Sequence, residues 1–289
     1  MSTSTPPLAR QPFNIRRTVR QTSLYAAIVA VSGVTFFPIY WMLVSTLQPS
    51  KYTLTYPPPF FPQEITVSHF YQLFTERPIA LWLRNSFTVA TMSMLLCLSI
   101  TIIGAYTLSS LRWKGRSAFG LFLLLTQMLP EILVLIPIYV VYSRLDLVNK
   151  PFTVAMIDAA FAIPVCIWIL KGVFDTVPTE VLDAALVDGC TEISALRRIV
   201  LPLSAPGIVA VAVVAFFAGW NEYLFASIML TSAENMVAGV GLTTLKGLSG
   251  VQVEQWMAAG FSFSILPVLF YLSMQRYIIS GLTAGAVKG

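Results

Sequence analysis

VLDAALVDGCTEISALRRIVLPLSAP, residues 181–206, interrupts a strongly apolar chain with a short, charged, punctuated segment. Asp175, Glu180, Asp183, Asp188 and Glu192 place five of the thirteen acids between residues 175 and 192. Arg197, Arg198 and Pro202 follow at once. On either side lie apolar runs at about 152–174 and 205–230, each longer than the roughly 20 residues that a membrane-crossing helix needs. A polar segment between two such runs reads as a loop at a membrane face, and that reading sets the fold.

The rest of the chain repeats the pattern. Mean hydropathy is +0.76, and charged residues make up 11% against about 25% in ordinary soluble domains. Windows of about 19 residues give six candidate spans, near 24–47, 86–108, 118–143, 152–174, 205–230 and 256–280. The runs are continuous rather than alternating, so the spans are helical. The expected fold is an all-α membrane protein of six transmembrane helices, with a cytoplasmic helical loop between the fourth and fifth. Residues 1–23 are expected to form a cytoplasmic N-terminal segment, 24–280 the membrane domain with its loop at 175–204, and 281–289 a cytoplasmic C-terminal tail. The run from Leu24 is too long for a signal-peptide core and lacks a convincing small-residue cleavage site, so it is read as a retained span. Pro38, Pro130, Pro137, Pro164 and Pro267 fall within spans and are expected to kink them.

Basic residues orient the bundle. Arg10, Arg16, Arg17, Arg20, Arg112, Lys114, Arg116, Lys171, Arg197, Arg198, Arg276 and Lys288 fall on one side. Only Lys51, Arg77, Arg84, Arg144, Lys150 and Lys246 fall on the other. The positive-inside rule puts the first side, with both termini, in the cytoplasm. A net charge of +5 then serves contact with anionic lipid headgroups. No basic patch with interleaved aromatics points to nucleic acid. Between about 48 and 85 lies the largest outer loop, where YPPPFFP forces an extended path and VSHFYQLF reads as a short helix, either a cap over the bundle or a contact for an external partner.

Catalytic chemistry finds little material. His69 is the single histidine, and it falls in the outer loop. Cys97, Cys166 and Cys190 lack metal-type spacing, and no disulfide framework is expected. Nowhere does a G-x-x-x-x-G-K-[ST] run appear. An ion-driven carrier would call for inverted repeats with paired broken helices, and a membrane enzyme for a paired acid and base or a metal cluster; neither is evident.

Within the loop, Thr176 or Asp175 is placed to cap a helix with Pro178 in its first turn. Val181, Leu182, Ala185 and Leu186 form one apolar stripe at helical spacing. Gly189 ends that helix, Thr191 caps a second, and Pro202 stops it. The stripe needs a partner: a groove in a soluble protein or the chain's own bundle. Acids beside it disfavour an anionic membrane surface.

This segment resembles the signature loop of binding-protein-dependent ABC importer permeases, written Glu-Ala-Ala, three residues, Gly, nine residues, Ile, one residue, Leu-Pro. Asp183, Ala184 and Ala185 stand for the first triplet, and Gly189, Ile199, Leu201 and Pro202 keep the spacing. FFPIYWMLVSTLQPS, LRNSFTVA, GWNEYLFASIML and QRYIISGLTAGAVKG extend the resemblance to the sugar, or maltose-type, branch. The resemblance implies a non-catalytic transport subunit with no cofactor of its own. ATP would be bound by a cytoplasmic ABC ATPase dimer, beside a second permease subunit and an extracytoplasmic sugar-binding protein. It implies further that the ATPase meets the loop through Glu180, Asp183, Ala184, Ala185, Asp188, Gly189, Ile199, Leu201 and Pro202, the ion pair falling to Asp183 or to Glu180.

Polar residues inside the apolar runs supply a second set. Glu131, Asp158 and the run Trp220-Asn221-Glu222-Tyr223 sit where an acid costs about 3 kcal/mol, so they should face the bundle interior or a wet cavity. Amides, carboxylates and flat aromatic faces suit sugar hydroxyls. The competing reading is hydrogen bonding between helices that locks the fold.

Overall fold

A computed structural model describes residues 15–53, 55–246 and 252–286. Residues 1–14, with Arg10, and 287–289, with Lys288, lie outside the described residues. The chain divides into two compact units, Met1–Thr66 and Val67–Gly289.

In the first unit, α1 (Ile15–Thr46) runs through Pro38 without ending, and α2 (Ser50–Thr53) follows as a single turn. The proline-rich stretch after it carries no helix. It is tied back by the Tyr40 hydroxyl, which donates to the Phe60 carbonyl, by the Trp41–Phe60 edge contact at 6.1 Å, and by the Thr66 N–H, which donates to the Leu47 carbonyl at 2.8 Å. Lys51 Nζ donates to Glu64 Oε1 at 2.7 Å. That hydrogen bond holds the Glu64 carboxyl below its usual range and raises the Lys51 ammonium.

The second unit opens with α3 (Ser68–Glu76), which buries His69 and Leu73. Phe70 packs edge-on to Phe261 at 6.2 Å, so this outer helix is a cap on its own unit. Then come α4 (Ile79–Ser109), α5 (Arg116–Thr126), α6 (Glu131–Arg144), α7 (Pro151–Phe174) and α8 (Thr179–Val187). After α9 (Glu192–Ala195) the helix passes through a π-turn at Leu196–Val200 into α10 (Leu201–Leu203). The order closes with α11 (Ala205–Trp220), α12 (Leu224–Met229), α13 (Ala238–Lys246) and α14 (Val253–Ala286). No strand occurs among the described residues.

Four helical stretches are long and apolar enough to cross a membrane: Val19–Thr46, Ile79–Ser109, Pro151–Phe174 and Val253–Tyr277. Two bent pairs raise the number to as many as six, α5 with α6 at 91° and Glu192–Leu203 with α11 at 83°. The expected continuous span 118–143 is therefore broken. Pro130, extended at φ −62° and ψ 128°, cannot continue α5 and instead starts α6, while 3₁₀-type bonds from Gln127 to Leu129 close the end of α5. The expected span 205–230 stops as a helix at Trp220. The second span starts earlier than expected, at Ile79, because Pro78 precedes the helix and Arg84 sits within it.

Van der Waals fit, rather than hydrophobic exclusion, holds helices together in lipid, and small residues permit close approach. The core follows that rule. Cys97, Ala105, Cys166, Leu170, Phe174, Val211 and Ala215 are buried where α4, α7 and α11 meet. A Cβ added at Gly219 would stand 3.0 Å from the Ala90 Cα and 3.1 Å from the Ser93 Cβ, so the α11 backbone lies directly on α4. Further along, Phe216 stacks on Phe270 at 3.9 Å and Trp220 on Phe263 at 5.0 Å, joining α11 to α14.

Side chains also pin the connections. Asn85 Nδ2 donates to the carbonyls of Glu234 (2.7 Å) and Met236 (2.9 Å), and the Ala238 N–H donates to Ser86 Oγ at 2.9 Å. Between α6 and α7, Asp146 and Asn149 adopt positive φ of 55° and 63°, a region these residues tolerate. Asn149 Oδ1 accepts from the Ser232 N–H and hydroxyl.

Candidate functional site

Two regions gather the residues singled out by sequence. The first is the charged loop. Helix α8 has Pro178 at its N-cap rather than in its first turn, and neither Asp175 nor Thr176 caps it. Their side chains are engaged elsewhere: the Ser109 hydroxyl donates to Asp175 Oδ1 at 2.6 Å, Lys171 Nζ donates to Asp175 Oδ2 at 2.5 Å, and the Thr176 hydroxyl donates to the Val173 carbonyl. Gly189 takes φ +86° just past the helix, a conformation that glycine enters without penalty. Thr191 Oγ1 then accepts from the Ser194 N–H at 3.3 Å, capping α9 as expected.

Pro202 does not stop the second helix. It lies inside α10, and the chain ends that segment at Ser204. Lacking an N–H and crowding the carbonyl four residues back, the proline is accommodated by the widened turn at Leu196–Val200.

The apolar stripe divides. Ala185 is 7% exposed and Leu182 packs against the Phe174–Val200 cluster, so this side belongs to the chain's own bundle. Glu180, Asp183, Ala184, Asp188 and Gly189 are exposed, together with Val181, Leu186 and Val187. Ile199 and Leu201 are half-buried, and Pro202 is exposed. The loop is thus a docked helix with a free acidic and aliphatic outer surface. Its second limb is held by the Tyr106 hydroxyl, which donates to Glu192 Oε2 at 2.7 Å. Sequence reasoning missed this role for Tyr106, whose only signal is a polar tip near the end of an apolar run.

The second region is a cavity of about 380 Å³ lined by residues of α6, α7, α11 and α12 and of the turns beside them. It brings together Glu131, Asp158, Asn221 and Glu222, which lie far apart in sequence. Glu222 Oε1 accepts from the N–H groups of Phe225 (2.6 Å) and Ala226 (3.4 Å), starting α12 with a carboxylate at its N-terminus. Asp158 is 5% exposed, and its carboxyl meets that of Glu222.

Trp220 and Tyr223 do not line this cavity. Trp220 is buried against Phe263 and Phe216, and Tyr223 is exposed. The aromatic wall comes instead from Phe161 and Phe225, tilted together at 5.5 Å. Gln127 is a further lining residue that sequence reasoning missed, and its Nε2 donates to the Phe161 carbonyl at 3.1 Å. An amide just before the proline of an apolar run was the available signal. Among the described residues no group of three or more His, Cys, Asp or Glu side chains could hold a metal ion.

Comparison with known proteins identifies the family. The family model described as "Binding-protein-dependent transport system inner membrane component" matches residues 98–283, which include the whole charged loop and all the acids of the cavity. The inner membrane ABC transporter permease protein YcjP of Escherichia coli is 32% identical, covering 95% of this chain and 99% of its own. The diacetylchitobiose uptake system permease protein DasC of Streptomyces coelicolor is 32% identical over 91% of this chain and 95% of its own. The trehalose/maltose transport system permease protein MalG of Thermococcus litoralis is 29% identical over 94% and 98%. Among solved structures, a chain of a bacterial ABC transporter that imports the acidic polysaccharide alginate superposes with a TM-score of 0.76 at 18% identity, over 92% of this chain and 99% of that one. That likeness concerns the fold. Apolar helices in number, a polar loop with the importer spacing and near full-length relatives converge: the chain belongs to the family of inner-membrane permease components of binding-protein-dependent transport systems, and is a multi-pass membrane protein.

Proposed function

We propose that this chain is one transmembrane half of an ATP-driven importer of a carbohydrate, a di- or oligosaccharide or a related polyol or glycoside, in a bacterial inner membrane. Six spans, with each bent pair contributing one, carry both termini to the cytoplasm. A second permease subunit completes the pathway, a sugar-binding protein delivers the substrate from outside, and a cytoplasmic ABC ATPase dimer binds the ATP. The observation that carries this reading is the loop 175–204. Its inner side is anchored through Leu182 and Ala185, while the outer side presents Glu180, Asp183 and Asp188 to a partner. Support for a carbohydrate cargo comes from the printed functions of relatives, which include diacetylchitobiose, trehalose and maltose.

In this reading each element has a task. Closure of the ATPases displaces α8. Because α8, α9 and the π-turn are packed on α4 and α7, the displacement is passed to the spans, which alternate between outward and inward access. Glu131, Asp158, Asn221 and Glu222 face the passing substrate with hydrogen-bonding groups, and Trp220 holds α11 against α14.

Reversing the charge at Asp183 (Asp183→Lys) is expected to abolish ATP-driven uptake while the chain still inserts. Affinity purification of the tagged wild-type chain from native membranes is expected to bring down an ATPase, a second permease and a soluble sugar-binding protein. Normal uptake by the reversed variant, with the ATPase still bound, would overturn the docking account. Recovery of the wild-type chain without any ATPase would overturn the importer reading itself.

A further inference from the structure

A second cavity, of about 390 Å³, lies where the end of α4, the start of α5 and the last turns of α7 come together. Arg116 and Ser117 line it from α5, Trp168 and Lys171 from α7, and Ser109 and Asp175 from the ends of α4 and α7. Its charges are unevenly satisfied. Asp175 is bound twice, by the Ser109 hydroxyl and by Lys171 Nζ, and Lys171 keeps two further ammonium N–H groups to offer. The Arg116 guanidinium pairs with no carboxylate among the described residues. Only its Nη1 is engaged, in two long bonds of 3.4 Å to the Ser109 and Leu111 carbonyls. A fork of donors remains, of the geometry that takes phosphate oxygens in pairs. Two cations thus face one anion, and Arg112 and Lys114, exposed in the turn before α5, add to the positive field.

Helix α5 separates a lipid phosphate from a free one. From its cationic start it runs for eleven residues, about 16 Å at 1.5 Å each, close to half of a hydrocarbon core roughly 30 Å thick. It then ends at the bend before α6. Along that length Leu121, Phe122, Leu124 and Leu125 are exposed, an apolar surface against which acyl chains can lie. Trp168 has the two-sided setting of an indole at headgroup level: its N–H donates to the Gly120 carbonyl at 3.0 Å, and its ring lies 6.0 Å from Lys171 Nζ.

We propose that this cavity binds the phosphate of an anionic phospholipid of the inner leaflet, held between Arg116 and Lys171 with its acyl chains along α5. The site rests on the orientation proposed above, which turns Arg112, Lys114 and Arg116 toward the cytoplasm, and is independent of the cargo. Anionic lipid is what that leaflet supplies. A phosphate shared by the two side chains joins α5 to α7 beside Asp175, where α7 hands over to the charged loop.

Native mass spectrometry of the whole transporter, purified from membranes of phosphatidylglycerol and phosphatidylethanolamine, reads the site. The wild type is expected to keep one phosphatidylglycerol per copy of this chain after detergent washing has stripped the phosphatidylethanolamine. Arg116→Gln with Lys171→Gln should lower that occupancy on the order of tenfold. Arg112→Gln with Lys114→Gln, the same change in net charge outside the lining, should leave it in place. Ser117→Asp guards against misfolding, because an acid in the first turn favours the helix yet repels a phosphate in the cavity. Lipid should be lost from this variant with no fall in thermal midpoint. Retention of lipid by both Ser117→Asp and the Arg116–Lys171 double variant, or equal loss from the two double variants, overturns the site. Inorganic phosphate offered in place of lipid is expected to leave no adduct; a phosphate adduct that the cavity variants lose assigns the site to a soluble anion and overturns the lipid. Recovery of the ATPase in the same purification judges the importer reading separately, so either can fail without the other.

Discussion

Gly189 shows how much a single backbone torsion can carry. Its φ of +86° turns the chain between α8 and α9, and the αL position costs a residue such as alanine about 1–2 kcal/mol. Nothing lies within 4 Å of a Cβ added there, so the penalty of Gly189→Ala is one of conformation rather than of collision. We expect this variant to lower the thermal midpoint of the solubilised complex only slightly. ATP-driven uptake should fall much further, because the strain is relieved by tilting α8 and its acids out of register with the partner. An uptake rate equal to wild type would show that the turn is not required to aim the helix. Its neighbour repeats the lesson in milder form: Thr191 carries no charge, yet its hydroxyl oxygen fixes where the second limb begins.

At the scale of elements, the contact between α4 and α11 is the tightest that the backbone allows. Gly219→Ala forces a methyl to within 3.0 Å of the Ala90 Cα, which is backbone and cannot rotate away. Overpacking of this kind costs about 1–3 kcal/mol. Gly172→Ala, on α7 with nothing within 4 Å of its added Cβ, should instead be neutral or gain up to about 1 kcal/mol of helix propensity. Thermal unfolding of the two variants side by side checks the pair, and equal midpoints would contradict the packing described. Long apolar elements of this sort were legible in the sequence, because hydropathy summed over a window survives local irregularity. Breaks within them were not. The 91° bend at Gln127–Pro130 is averaged away by the same window, and a proline alone does not announce its effect: Pro38, Pro137, Pro164 and Pro267 stay inside their helices. Glu131, Asp158, Asn221 and Glu222 were legible as misfits in apolar runs, whereas the place of Trp220 in the stack with Phe263 depended on contacts across α14 that no local pattern encodes. Gln127 reaches the cavity only because the broken pair α5–α6 folds back, so no reading of one run could have found it.

Across the whole molecule, the cysteines offer a test of orientation. Cys97 and Cys166 are buried, and Cys190 at the turn of the charged loop is half-exposed. A membrane-impermeant maleimide is expected to label Cys190 in inside-out vesicles and not in right-side-out ones, with labelling reduced when the ATPase is bound. Labelling from the outer face would invert the proposed topology. Helix α4 spans this same axis without a proline. Near one end Tyr106 grips Glu192 of the charged loop; near the other Asn85 and Ser86 grip the strand of chain from Glu234 to Ala238. The grips are about 30 Å apart at 1.5 Å per residue. A helix fastened so at both ends is a single strut between the charged loop and the stretch 234–238, so under the proposed mechanism a shift at one clamp is expected at the other.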